Sequence, residues 1–107
     1  MAKKKNLSLG AVMVLHALAR GFVYGFDIME ETGLTSGTIY PALDRLEAFG
    51  FARSEWEDAR IAQADKRPPR RYFRITPGGA RELREALDRH RSLARLDLTA
   101  HLRPRAS

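Results

Sequence analysis

Between Ser8 and Arg20 the apolar residues Ala11, Val12, Leu15, Leu18 and Ala19 recur at the spacing of one helical face, and Ser8 stands where an N-cap belongs. Met13 and Val14 spread the apolar surface to almost every side, as in a helix buried on several faces; in a short chain this predicts contact with a partner subunit. Gly21 ends the segment. A second, shorter helix is predicted over Tyr24–Thr32, with Phe26, Ile28 and Met29 as its apolar residues, and Gly33 breaks it. A third is predicted over Thr35–Gly50, with Ile39, Ala42, Leu43, Leu46 and Phe49 on one stripe. Helix, short helix, glycine-containing turn and helix is the order of a helix-turn-helix.

The period then changes from helical to two. Phe51–Glu57 sets Ala52, Ser54 and Trp56 against Arg53, Glu55 and Glu57, and Arg70–Thr76 sets Arg71, Phe73 and Ile75 against Tyr72 and Arg74. Both read as strands. The polar, basic stretch Asp58–Pro69 joins them. It is long for a hairpin loop, so its tip is expected to be mobile without a ligand. Thr76 and Pro77 then supply an N-cap and an N1 proline, although Gly78 and Gly79 weaken the first turn. The last helix is predicted from about Ala80 to Leu98 or His101, with Leu83, Leu87, His90, Ala94 and Leu98 on one side. That stripe needs cover, and a second copy of the chain supplies it economically. Leu9, Val12 and Met13 of the first helix are expected to join it at the dimer interface.

The pattern predicts a mostly α fold with a small β wing: a winged helix-turn-helix followed by a C-terminal dimerisation helix. Its expected parts are a basic arm (1–7), the winged region (8–77, wing 51–76), the C-terminal helix (78–102) and a tail (103–107).

Composition sharpens this picture. The chain has 107 residues, one small domain that gains from pairing. Its net charge of +6 points to a polyanionic partner, nucleic acid ahead of an acidic membrane surface. Lys3–Lys5 form one cluster, and Lys66, Arg67, Arg70, Arg71 and Arg74 form another. The arginines from Arg81 to Arg95 alternate with acids, as on a solvated helix face. No apolar run approaches the roughly 20 residues that span a bilayer, and the basic start lacks a signal peptide's apolar core. The absence of cysteine removes thiol chemistry and fits a cytoplasmic protein. His16, His90 and His101 have no acidic neighbours at metal-ligand spacing, and no phosphate-binding glycine loop or nucleophile elbow is present. No enzyme, metal or cofactor is therefore expected.

Double-stranded DNA is the partner that best explains the rest. With Ile39 buried, Gly37, Pro41, Asp44 and Ala48 fall on the opposite face of the third helix, flanked by Thr38, Tyr40 and Arg45. The start of such a helix enters the major groove and favours phosphate. Thr35, Ser36, Gly37, Thr38, Tyr40, Pro41 and Arg45 are thus candidate DNA contacts, joined by Lys66, Arg67, Arg70 and Arg71 on the wing. Tyr40 has a second reading, as a rim residue of the core. Asp44 opposes phosphate unless Arg45 or another base neutralises it. Pro41 requires either that the helix begin near Thr38 or that it kink. The face is poor in Asn, Gln and Arg, so phosphate contacts and DNA shape should carry much of the affinity. A winged-helix adaptor that binds protein instead of DNA is the alternative.

The run Leu34-Thr35-Ser36-Gly37-Thr38-Ile39-Tyr40-Pro41-Ala42-Leu43-Asp44-Arg45-Leu46-Glu47, then Gly50, resembles the recognition helix of PadR-type transcriptional regulators. Leu9–Leu18, Tyr24-Gly25-Phe26-Asp27-Ile28 and Arg70-Arg71-Tyr72-Phe73-Arg74-Ile75-Thr76-Pro77 with Gly79 match other hallmarks in order, over roughly residues 8 to 90. The resemblance implies a homodimer joined through the C-terminal helix, and repression at promoter palindromes, often relieved by a small molecule. By position it puts Ser36, Thr38 and Tyr40 on DNA through the helix, and Arg70 and Arg71 through the wing. The short C-terminal region matches the smaller subfamily. Some small members hold flat aromatic drugs between C-terminal tryptophans; here that helix has no aromatic residue and the sole tryptophan, Trp56, falls on a wing strand. The effector's identity stays open.

Overall fold

The structure, a computed structural model, describes residues 7–102, with side chains described for residues 7–89 and 91. The basic arm Lys3–Lys5 and the tail 103–107 lie outside the described residues, as do the side chains of His90, Ala94 and Leu98. The elements run α1 (Leu9–Ala19), α2 (Gly25–Thr32), α3 (Ser36–Ala48), β1 (Ala52–Trp56), α4 (Ala59–Ala64), β2 (Arg71–Ile75) and α5 (Pro77–Leu102). This is the mostly α architecture with a small β wing that the periodicity predicts.

α1 is the centre. Val14 and Leu15 have no exposed surface, and the helix packs against α2, α3, α5 and β2. Ile28 from α2, Ile39, Leu43 and Leu46 from α3, and Phe73 from β2 complete the core. The Ser8 hydroxyl caps α1 by accepting from the N–H of Ala11. Gly33, at φ +74°, makes the left-handed turn between α2 and α3 that a side chain would resist.

The strands pair antiparallel, Ala52 opposite Ile75 through Trp56 opposite Arg71. A two-stranded ribbon is marginal alone. Here β2 is also tied on its other edge: the N–H of Phe73 donates to the carbonyl of Val23 at 2.9 Å, and Tyr24 bridges to Tyr72. The connection between the strands, expected as a loop, contains a helix. Asp58 caps a short helix by accepting from the N–H of Arg60, and α4 follows. Its end is a Schellman turn: the N–H of Arg67 donates to the carbonyl of Ala62 and that of Lys66 to Gln63, with Lys66 at φ +56°.

The expected start of the last helix is present, with Pro77 its first residue. The Thr76 hydroxyl accepts from the N–H of Gly79 and donates to the Gly50 carbonyl, and the N–H of Thr76 donates to the Phe51 carbonyl. The helix end is thereby pinned to the α3–β1 corner so closely that Gly79 is buried. A β-carbon there would lie 2.0 Å from the Phe51 carbonyl oxygen. Of the residues expected at a dimer interface, Val12 and Leu83 are buried inside the protomer, because α1 and α5 cover one another; Leu9 is 59% exposed and Met13 and Leu87 are half-buried.

Glycine to alanine in a helical backbone normally stabilises by about 0.4–1 kcal/mol. Gly79→Ala is expected to do the reverse, costing about 1–3 kcal/mol through overpacking, read as a lower urea midpoint at unchanged slope. A variant as stable as the parent would show that the end of α5 is free to shift away from Phe51.

Candidate nucleic-acid interface

The site begins with the start of α3. Thr35 is its N-cap residue in position, yet its side chain makes no capping bond; its hydroxyl pairs instead with that of Thr38 at 3.4 Å. The N–H groups of Ser36 and Gly37 therefore have neither an intrahelical acceptor nor a side-chain cap, while that of Thr38 donates to the Thr35 carbonyl at 3.0 Å; such a helix start is suited to an anion. Ser36, Gly37, Thr38, Tyr40, Pro41 and Arg45 are all exposed around this end. The helix starts at Ser36, so Pro41 lies in its second turn rather than its first. Lacking an N–H, Pro41 leaves the Gly37 carbonyl without its usual donor.

Tyr40 meets both of its expected roles partway. It is 47% exposed, and its ring tip lies against Gly25 at the start of α2. A β-carbon on Gly25 would come 2.3 Å from the Tyr40 hydroxyl. Gly25 thus allows the two helices of the helix-turn-helix to close on one another, and the phenol stays at the rim.

The wing cations divide into two kinds. The Arg70 guanidinium has no carboxylate partner among the described residues and lies 4.8 Å over the Tyr24 ring. Lys66 is exposed. Arg71 turns towards α3. It donates to Glu47 at 2.9 Å and to the Ser54 hydroxyl at 3.0 Å, and stands 4.0 Å from Asp44. The acid on the outer face of α3 is therefore offset from the wing, by Arg71, and not by its chain neighbour Arg45.

Arg67 is turned inward, a correction to its place among solvent-facing cations. It forms a two-pronged ion pair with Glu57, at 2.6 and 2.9 Å, and its side chain is only 21% exposed. Glu57 is the one buried charged side chain among the described residues, 6% exposed. It also accepts from the N–H of Arg70 at 3.2 Å and the Tyr72 hydroxyl at 3.0 Å, so each carboxylate oxygen has two donors. The Arg67 hydrogen bonds, then those from Arg70 and Tyr72, hold the Glu57 carboxyl down at about 2 against an ordinary 4.5, overcoming the opposing effect of burial. Tyr24, burial and Glu57 together push the Tyr72 phenol above its ordinary range. This clamp joins the wing's two ends, and the alternation pattern gave no sign of it. In sequence Glu57 is one of three clustered acids, Glu55, Glu57 and Asp58, with nothing to set it apart.

Two further aromatic residues reach this side. Phe26, an apolar residue of the second helix, and Trp56, set beside Ala52 and Ser54 by the alternation of the first strand, are 65% and 68% exposed. Both border a notch of about 310 Å³ between α2, α3 and the wing, which Tyr24, Gly25, Tyr40, Pro69, Arg70 and Arg71 complete. The notch brings Tyr40 of α3 and Arg70 of the wing to one side of the domain. The opposite spacing of Phe26 and Ile28, two residues apart on a helix, was the available signal that only one could be buried.

The family described as "Transcriptional regulator PadR-like family" matches residues 14–85. Among solved structures, the chain is similar to a PadR family transcriptional regulator from Eggerthella lenta, at 25% identity over 87% of this chain and 84% of that one, TM-score 0.67. It is similar in fold to a PadR family transcription regulator from Clostridium difficile, at 20% identity over 83% and 94% of the two chains, TM-score 0.71. It is also similar in fold to the PcaV regulator from Streptomyces coelicolor, solved in complex with its natural ligand, at 22% identity over 91% of this chain and 64% of that one, TM-score 0.75. Among curated proteins, none matches the sequence.

The clamp has a pH signature. A carboxyl whose folded pKa is depressed stabilises the fold above its unfolded value and stops doing so as pH falls through the folded one. Glu57 should therefore contribute fully above pH 4.5 and progressively less towards pH 2. Thermal midpoints of the parent should fall across that window more steeply than those of Glu57→Gln. At pH 7 the variant should melt roughly 5–10 °C lower. Parallel acid limbs would mean that the carboxylate does not hold the wing.

Proposed function

Because this chain belongs to the PadR-like family of transcriptional regulators, we propose that it is a homodimeric repressor of a palindromic promoter operator. In this reading the start of α3 enters the major groove, and Arg70 and Lys66 of the wing contact the flanking backbone or minor groove. The observation that carries it is the shared notch: Tyr40 on α3 and Arg70 on the wing open to one side of the domain, next to a helix start without a side-chain cap. Ser36 and Thr38 hydroxyls donate to phosphate or base edges there, Arg45 reaches the backbone, and Gly37 and Pro41 allow close approach. Arg71 orients the wing on α3 while its remaining surface faces the same side. Arg67 acts on DNA only indirectly, by holding the wing.

The dimer rests on the apolar residues that the protomer leaves uncovered, Leu9, Met13 and Leu87, continued along α5 by His90, Ala94 and Leu98, with Val12 and Leu83 backing them from inside. A small-molecule effector of unknown identity relieves repression; the PcaV regulator, which has a natural ligand, is a precedent in fold only. No cofactor, metal or catalytic activity is part of this reading. Among the described residues no helix is long and apolar enough to cross a membrane, and a cytoplasmic location suits a repressor.

Fluorescence anisotropy with the chain's own upstream promoter and a scrambled duplex tests the proposal. Binding to the promoter at least about a thousandfold tighter than to the scramble is expected. Arg70→Ala should weaken both and lower the salt slope by about 1. Leu87→Glu should yield monomers in sedimentation and lose the promoter's advantage. Equal weak affinity for both duplexes, or none, with a dimer intact, would replace the repressor by a nonspecific binder or a protein-binding adaptor.

A further inference from the structure

An operator read by a helix in the major groove and a wing in the neighbouring minor groove must pass one sugar–phosphate strand between them, since that strand is what separates the two grooves. On this chain the space between helix and wing is the notch of about 310 Å³. Its walls are unusual for a solvent-facing hollow. Phe26 and Trp56 are the two most exposed of the large hydrophobic residues, at 65% and 68%. They stand on different elements, α2 and β1, yet border the same hollow, together with the rims of Tyr24 and Tyr40. No carboxylate lines it. Its cation, Arg70, is held over Tyr24 and has no acidic partner among the described residues.

We infer that this notch seats one sugar–phosphate strand of the operator, with Trp56 and Phe26 packing on deoxyribose faces while Arg70 and the Tyr40 hydroxyl hold the phosphate between them. The inference rests on the DNA-binding reading and goes beyond it by assigning Trp56 and Phe26 to the interface. The chemistry of a nucleotide backbone is what the hollow matches: alternating apolar sugar faces and anionic groups, against alternating aromatic rings and a cation. A small aromatic acid offers one ring and one charge, and this hollow is too open to enclose it. The start of α2 adds to the match, since the first N–H groups of a helix lack intrahelical acceptors and its first two residues, Gly25 and Phe26, line the same hollow. Arg71, drawn away by Glu47 and Ser54, forms the floor more than the grip.

A strand seat of this kind is indifferent to base sequence. It therefore adds to specific and nonspecific affinity alike, and its apolar part adds without counterion release. That separates it from base readers, whose loss spares the scramble, and from cations, whose loss lowers the salt slope.

Trp56 is the sole tryptophan, so the full-length protein carries its own probe. Trp56 emission should change on saturation with either the promoter duplex or the scramble. Phe26→Ala and Trp56→Ala should each weaken both duplexes by the same factor, roughly 5- to 20-fold, with an unchanged salt slope, and Trp56→Phe should recover most of the loss. Both side chains are exposed, so the thermal midpoints of the variants should match the parent and exclude misfolding. Promoter binding that leaves Trp56 emission and both alanine variants unaffected would overturn the seat while the repressor reading stood. Salicylate changing Trp56 emission where saturating duplex does not would overturn it in favour of a small-molecule site. Failure of every duplex to bind would remove the repressor reading and the seat with it.

Discussion

The wing is only as well placed as the carboxylate of Glu57. The ribbon is seated by the buried Phe73 and its bond to Val23, but the long connection between its strands has little apolar surface to bury and, without a further contact, no reason to hold one orientation. Glu57 supplies that reason by gathering donors from three places: the Arg67 guanidinium from beyond α4, the backbone N–H of Arg70 where the chain enters β2, and the Tyr72 hydroxyl from within β2. A buried carboxylate with any of its oxygens unmatched is costly, so the four donors arrive together or the site opens. α4 is the means of delivery. Its Schellman ending, with Lys66 left-handed, reverses the chain so that Arg67 falls back onto Glu57. Tyr72 passes the constraint on, because it lies against Tyr24 at the start of the helix-turn-helix, ring centroids 4.8 Å apart. Through these contacts the wing and the two helices hold fixed positions relative to one another.

The same contacts sort the basic residues. A net charge of +6 says that a polyanion is attracted, and says nothing of which cations meet it. In the fold, Arg67 is consumed by Glu57 and Arg71 by Glu47, with Asp44 nearby. Arg70 and Lys66 stand outside any ion pair among the described residues, and Arg70 shares a hollow with Tyr40 of α3. The acids of α3 would repel phosphate if left alone. Arg71 offsets them while anchoring the wing, so one side chain performs a structural and an electrostatic task. The price is that fewer arginines remain for DNA than the sequence advertises.

What the sequence disclosed follows from where the information lies. Six of the seven elements were legible because each has its own period, as in the Ile39–Leu46 stripe of α3 and the Arg71, Phe73, Ile75 alternation of β2, and because Ser8, Thr76 and Pro77 mark ends through local chemistry. α4 was not, since Ala59–Ala64 is six residues with no apolar face of its own; it exists because Asp58 caps it and Glu57 catches the residue beyond its end. Arg67 looked like any loop cation because an ion pair across ten residues leaves no periodic trace. Phe26 was legible only as an apolar residue of its helix and Trp56 only as a position on a wing strand, and the fold shows that both are exposed. Val12 and Leu83, expected at a partner subunit, are buried within the protomer, where α1 and α5 pack together.

The sparse chemistry of α3 bears on how a target sequence would be told from others. Its exposed face carries Gly37, Pro41 and Ala48, which make no hydrogen bonds to base edges, and the hydroxyls of Ser36 and Thr38 discriminate weakly. In the proposed repressor, with Arg45 on the backbone, discrimination then comes largely from geometry. A rigid helix-and-wing frame accepts only a duplex whose groove widths match its fixed separation, and a two-fold pair of frames accepts only half-sites at one spacing. Rigidity becomes the source of specificity, which returns the argument to Glu57. A wing that swings can follow many duplex shapes and distinguishes few. Loosening the clamp should therefore erode preference between duplexes more than it erodes binding itself, a consequence that no residue touching DNA would share.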